Sequence, residues 1–491
     1  MKLKIKRLKF LAGRPVSMIH QNTAKKMSLH VGDRISIKNK KGKKLISIID
    51  IISGFLKEEE VAISEEIRKI LSLKNKEYVD VKIVEPPHSM ILIKKKLEGG
   101  KLNKKEIYEI IEDIKNNALT EIEIAFFVSA ICTNFMSLKE TKNLTKAIIK
   151  SGKRIKLKGK IADKHCIGGI AGNRTTPIIV SICSSAGLII PKTSSRAITS
   201  AAGTADVIET VSRVNFSIKE IKKIIKKTKA CLVWGGTLGL APVDDKILKI
   251  ERIANLDSTA QLLASILSKK IAVGSKYVLI DIPYGKSAKV TKIQAEKLRL
   301  KFLKLGKAFN LKLAVILTNG SEPIGNGIGP VLEMKDILKV LKRDCPPKDL
   351  ENKSLFLSAK LLELCGKSKK GKGIEYARKI LDSGQAFIKF KEIIKAQGGS
   401  IKNLQKPKIS YNIISEKNKK IKHIDNKMIN NLARILGCPE DKAAGIYIHK
   451  KKNNFAKKGE KIFTLYALSN EKLNHAKRFY KKNQKQIIEF R

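Results

Sequence analysis

Over the first 86 residues, apolar and polar side chains alternate in short runs, LKIKRLKFL, RISIKN, LISIIDII and YVDVKIV, separated by turn signals at Val31-Gly32-Asp33 and Lys41-Gly42. A period of two marks a strand with one buried face, so this stretch predicts a small β-barrel. Beyond Glu85-Pro86-Pro87-His88 the period changes. Ile107, Ile110, Ile111 and Ile114 fall on one stripe of a helix, and further helices are predicted over 122–132 and 138–149. Between about 160 and 320, strand and helix patterns alternate, which predicts a mixed α/β sheet flanked by helices. Residues 318–329 read as one long glycine-rich loop, and 334–397 as helical. Gly398-Gly399 and the lysine-rich 400–425 region read as a linker before a closing α+β segment.

The chain has 491 residues, enough for three or four domains. Lys and Arg number 101 against 45 Asp and Glu, a formal net charge of +56. Such an excess fits a nucleic-acid binder or a chain whose solvated faces are all built from lysine. The lysines recur along the whole length and aromatics are only 5%, which favours solvated faces and leaves little for base stacking. The same charge steers anionic substrates inward. Seven cysteines without Cys-x-x-Cys or Cys/His spacing argue for a reducing cytosol and against zinc or a disulfide framework. No stretch reads as a signal peptide or a bilayer span, so a soluble cytoplasmic protein without a membrane partner is expected.

The densest chemistry lies between Asp163 and Glu209, DKHCIGGIAGNRTTPIIVSICSSAGLIIPKTSSRAITSAAGTADVIE. Two loops of glycine and hydroxyl side chains each lead into a helix pattern. Gly168, Gly169 and Gly172 let a ligand approach the main chain. Thr175, Thr176 and Pro177 read as the cap and first turn of a helix, whose free amides would seat a phosphate. The second loop, Thr193–Thr204, adds hydroxyls, Arg196 and Gly203 before a helix beginning Ala205-Asp206. Two such loops converging would make a double anion site. Neither has the spacing of a Walker A loop or a dinucleotide fingerprint. On the residues alone, a phosphate-handling site and plain strand–turn–helix connectors both remain open.

SSRAITSAAGTADVIE resembles the signature of the thymidine/pyrimidine-nucleoside phosphorylase family. DKHCIGGIAGNRTT is similar to that family's Lys-His-Ser-x-Gly-Gly loop in the form found in the archaeal AMP phosphorylases. The resemblance runs from about Met90 to Gly399 and extends plausibly to both ends. It implies four regions: an N-terminal β-barrel (1–86), a helical domain (87–155, with a second part near 242–273), an α/β phosphate-binding domain (156–241 and 274–400) of the nucleoside phosphorylase/phosphoribosyltransferase kind, and a C-terminal α+β domain (405–491). It implies phosphorolysis of AMP, with CMP and UMP as further candidate substrates, to free base and ribose 1,5-bisphosphate. Neither metal nor cofactor is implied; the partners are AMP, inorganic phosphate and further copies of the chain, as a homodimer or larger.

By the same resemblance, phosphate contacts fall on Lys164, Thr176, Ser194 and Thr204. AMP contacts fall on Gly169, Ser195, Arg196, Ala197, Ile198, Thr199, Ser200, Thr204, Ser265, Lys269 and Lys289, with Lys289 or Arg196 facing the 5′-phosphate. Asp257 matches the proton donor; burial beside apolar surface is one way to raise its pKa. His165 is the second acid. Ser258-x-x-Gln261 reads as a capping box opening the next helix. Two departures stand out. Cys166, a weak donor, replaces a phosphate-binding Ser. Ile250 replaces an arginine that reads the pyrimidine in nucleoside enzymes, which favours a nucleotide. The alternatives are a pyrimidine-nucleoside phosphorylase, or a basic nucleic-acid-binding protein with an inactive catalytic domain.

Overall fold

Six strands close the N-terminal barrel: Lys2–Arg7, Val16–His20, Arg34–Lys38, Lys44–Ile52, Glu60–Ile63 and Tyr78–Val84. Around the barrel they run first, fifth, second, fourth, third, sixth. The computed structural model describes residues 1–197, 200–254 and 256–491. The chain falls into two units, Met1–Gly152 with Ala241–Ser265, and Lys153–Leu240 with Ile266–Arg491. The four alternating runs contribute four barrel strands. Glu60–Ile63 escapes the pattern because Val61, Ala62 and Ile63 are all buried, which erases the alternation.

The helical part of the first unit is started by reciprocal capping boxes at Asn103/Glu106, Thr120/Glu123 and Ser137/Glu140. Ile107, Ile110, Ile111 and Ile114 bury their stripe against Phe127, Val128, Leu144 and Ile148. Ile247 and Ile250, from the returning Pro242–Ala254 helix, complete this core. Arg34 of the barrel donates to the Ala118 carbonyl at 2.9 Å and pairs with Glu123, fixing barrel to helices through one buried guanidinium.

In the second unit the Tyr277–Tyr284 strand lies between Ala162–Cys166 and Lys312–Asn319. Ile190–Ser194 pairs with Ala230–Trp234, and an Ile161–Ile189 bridge connects the two groups. Every one of these pairings is parallel. Their carboxyl ends therefore face one way, the edge at which open α/β sheets take ligands.

The C-terminal α+β part departs from the sequence reading in two places. The lysine-rich 400–425 region is not all linker: Ile409–Ile414 and Lys419–Ile424 are strands whose lysines sit mostly on solvated positions. Within the glycine-rich 318–329 loop, Gly327–Ile328 forms a short strand antiparallel to Gly445–Ile448, extending the C-terminal sheet. Among the described residues no helix is long and apolar enough to cross a membrane.

Ile49 is fully buried in the barrel. Ile49→Ala should cost the first unit about 2–5 kcal/mol. Urea unfolding followed by circular dichroism should show the loss, while fluorescence of Trp234, the sole tryptophan and a residue of the second unit, reports the other unit.

Candidate phosphate and nucleotide site

The two glycine loops are brought together. Extending the Ile161–Ile189 register sets Ser194 level with Cys166 at the carboxyl ends of their strands. Arg174, in the first loop, donates to the Ala202 carbonyl of the second and pairs with buried Glu333. Both loops are also held by one distant helix, Asn426–Ile435. Asn426 Oδ1 accepts from Ala171 N at 3.0 Å, and Asn430 Oδ1 accepts from Ala201 N at 2.7 Å. These asparagines stand four residues apart, on one helix face. Gly172, at φ +68°, has no room for a side chain: a Cβ would sit 2.2 Å from the Ile324 carbonyl oxygen. Gly169 packs so close to the Lys289 backbone that a Cβ would lie 3.1 Å from its nitrogen. Two positions expected to touch AMP are therefore neighbours.

Beneath the strand ends lies a layer of buried charge. Asp163 receives Lys270 at 2.7 Å and Lys192 at 3.4 Å. Asp281 receives Lys353 at 3.3 Å and Lys164 at 4.0 Å. Four ammonium groups thus face two carboxylates, an excess of two positive charges among these residues. Burial opposes such charge and holds the Lys164 and Lys192 pKa values below the ordinary lysine range. Ser194 Oγ adds a buried hydroxyl with no hydrogen-bond partner among the described residues, a donor ready for an oxyanion.

Several expected roles change. Lys164 Nζ donates to Thr175 Oγ1 at 2.9 Å, so Thr175 is a partner of the lysine and not the helix cap. The cap is Arg174, without a side-chain cap bond, and the start of the Thr175–Ser185 helix is open. Thr176 is buried in its first turn. The second loop ends in a short helix, Thr204–Ile208, whose cap residue is Gly203; Asp206 Oδ2 accepts from Gly203 N at 2.8 Å and Ala197 N at 2.7 Å and so holds the loop against the helix start.

Arg196 is likewise committed. Its guanidinium binds Glu209 through both terminal nitrogens at 2.7 and 2.6 Å, reaches Asp206 at 3.0 Å and lies over Trp234. It is a poor candidate for the 5′-phosphate. His165 is no cationic acid either. Burial first, then Lys270, Lys192, Lys164 and Lys269, push its pKa well below the usual imidazole value. Ser195 is exposed, and Ser200 donates to the Ala202 carbonyl at 2.6 Å. Ile198 and Thr199 lie outside the described residues.

In the first unit, Ser265 Oγ donates to Asp244 Oδ2 at 2.8 Å and Gln261 donates to Asp244 Oδ1 at 2.7 Å. Only half of the expected capping box forms: Gln261 N donates to Ser258 Oγ at 3.4 Å, while the Gln261 side chain turns to Asp244. Asp257 precedes this helix and is exposed, not buried beside apolar surface. Lys269 follows Ser265 one turn later in the same Thr259–Ala272 helix. Ile250 is packed in the helical core; its side chain is apolar and offers no hydrogen bond to a base.

Comparison with known proteins gives the family. Residues 91–152 match the "Glycosyl transferase family, helical bundle domain", 158–292 the "Glycosyl transferase family, a/b domain", and 420–486 the "Pyrimidine nucleoside phosphorylase C-terminal domain". The AMP phosphorylase of Pyrococcus furiosus is 42% identical over 482 residues, covering 97% of this chain and 95% of that protein. The chain belongs to the AMP phosphorylase family. The relative from Thermococcus kodakarensis is similar to the same extent, 42% over 483 residues, with 97% and 95% covered. The crystal structure of anthranilate phosphoribosyltransferase from Thermus thermophilus shares the fold alone, with a TM-score of 0.52 at 15% identity over 62% of this chain and 99% of that one.

In this member of the family, sequence reasoning missed Asp163, Asp281, Lys192, Lys270, Lys353 and the two asparagines. Asp281 carried a usable signal, an acidic residue inside an apolar strand; Asp163, in the polar strand Ala162–Cys166, carried none. The lysines carried none in a chain where lysine is everywhere.

The Arg196–Glu209 pair sets a pH dependence. Arg196 and Lys442, 2.8 Å away, hold the Glu209 carboxyl at about 2 instead of 4.5. The folded state thus binds fewer protons, so this stabilisation is complete above pH 4.5 and disappears as pH falls towards 2. At 1.36 kcal/mol per unit, reduced for partial exposure, it is worth about 2 kcal/mol. Glu209→Gln should lower stability at pH 7 by that order and flatten its loss between pH 5 and 3, measured by urea unfolding.

Proposed function

We propose that this chain cleaves AMP with inorganic phosphate, giving adenine and ribose 1,5-bisphosphate. The observation that carries the reading is the pair of cross-tied loops over a buried layer in which four lysines meet two carboxylates. Phosphate binds over Lys164, Ser194, Thr204 and the open helix start at Thr176, with its nucleophilic oxygen towards C1′. Gly169, Ser195, Ala197, Ser200 and Lys289 hold the nucleotide, and Lys289 rather than Arg196 faces the 5′-phosphate. Ser265 and Lys269 contact the base.

As the C1′–N bond lengthens, the ribosyl group takes on positive charge and the phosphate dianion beneath it stabilises that state. Electrons return to the base, and Asp257 supplies the proton or hydrogen bond that lets it leave. His165, disfavoured as a cation by burial and then by its lysine neighbours, orients by hydrogen bonding and does not act as an imidazolium. Burial and Asp281 keep the Cys166 thiol protonated, so phosphate is the nucleophile. The protein works in the cytoplasm.

Self-association is part of this reading. Ile122 and Phe126, one turn apart, are 71% and 48% exposed, and Phe135 is 78% exposed. Such apolar surface on a helical face fits a second copy of the chain.

Adenine should appear from AMP only when inorganic phosphate is present; release without phosphate, or preference for uridine or thymidine over AMP, would refute the assignment. Asp257→Asn should lower kcat about 10²–10⁴-fold with the KM for AMP nearly unchanged. Ile122→Glu with Phe126→Glu should shift the sedimentation coefficient to that of a monomer.

A further inference from the structure

Lys353 projects from the Lys348–Leu364 helix and is 9% exposed, yet its Nζ has no hydrogen-bond partner among the described residues. It faces Asp281 Oδ2 at 3.3 Å, out of hydrogen-bond alignment, and that oxygen is also unsatisfied. Thr318 serves the other oxygen at 2.6 Å, and Lys164 stands 4.0 Å from Oδ2. The Cys166 thiol lies against the same carboxylate. Lys353, Lys164 and Cys166 therefore surround one point at the strand ends. An ammonium has three donors, and burying them unused is costly. The thiol beside it is neutral and a weak donor to an oxyanion.

We propose that Lys353 is a second phosphate-binding ammonium of this site, supplying the contact to the phosphate oxygen that Cys166 makes poorly. The proposal rests on reading the Asp163–Glu209 loops as the seat of phosphate. The ammonium meets Asp281 by charge alone, at 3.3 Å, and its donors find no aligned acceptor among the described residues. An added oxyanion would supply the acceptor they lack.

The test is steady-state kinetics on the full chain, varying inorganic phosphate at saturating AMP and AMP at saturating phosphate. Lys353→Met should raise the KM for phosphate at least tenfold while changing the KM for AMP less than twofold, and Lys353→Arg should recover most of the loss. Adding Cys166→Ser to Lys353→Met should restore part of the phosphate affinity, showing that the two side chains serve one oxygen. If Lys353→Met fails to fold because Asp281 is left unpaired, the Lys353→Met/Asp281→Asn pair removes both charges and should show the same rise. An unchanged KM for phosphate in a folded variant of either kind, with only a lowered Tm, would make Lys353 a counterion and overturn the proposal. A wild-type chain that releases no adenine with phosphate would overturn the underlying reading as well, and is told apart by needing no variant.

Discussion

Two carboxylates without any solvent exposure, Asp163 and Asp281, govern the architecture of the second unit. Each is planted in a parallel strand, and each gathers ammonium groups from elements far away in sequence: Lys192 and Lys270 on one, Lys164 and Lys353 on the other. Like charges assembled in a low-dielectric layer repel one another, and the carboxylates offset only half of them. The remaining imbalance lies at the strand ends, under an open helix start and a spare hydroxyl. On the proposed reading, a bound anion would complete a charge distribution that the polypeptide leaves unfinished.

The loops above that layer owe their shape to contacts and not to local preference. Gly172 is pressed against the 324–328 backbone, Gly169 against Lys289, and Arg174 spans from one loop to the other. Asp206, which by spacing alone belongs to a signature motif, spends its carboxylate on the amides of Gly203 and Ala197 and thereby holds the second loop in its turn. Arg196 and Glu209 lock the same loop from outside, with Lys442 added from the C-terminal part.

Much of the fold was legible in the chain. Alternation revealed four of six barrel strands, the isoleucine stripe at 107–114 marked a core helix, and strand–helix alternation after 160 gave the α/β sheet. The glycine and hydroxyl loops were legible because few other structures need such composition. The remainder was hidden for physical reasons. Arg196 looks like an anion ligand in sequence and is an internal ion pair in space. Thr175 and Thr176 are adjacent and chemically alike, and only side-chain direction separates the lysine's partner from its neighbour. Three of the four buried lysines, Lys192, Lys270 and Lys353, cannot be told from solvated ones when 101 basic residues crowd the chain. The two asparagines act across more than 220 residues of sequence.

Those asparagines bear on how separable the parts are. Their amide oxygens meet the main chain of both loops from a single helix, so register there is fixed by a spacing of four. Removing one residue between them would rotate one side chain by about 100° around the axis and release its loop. Lineages that exchange or shed this helix would keep both loops and lose the two side chains that brace them from a distance. The terminal part is thus scaffolding for loops that it does not itself contain.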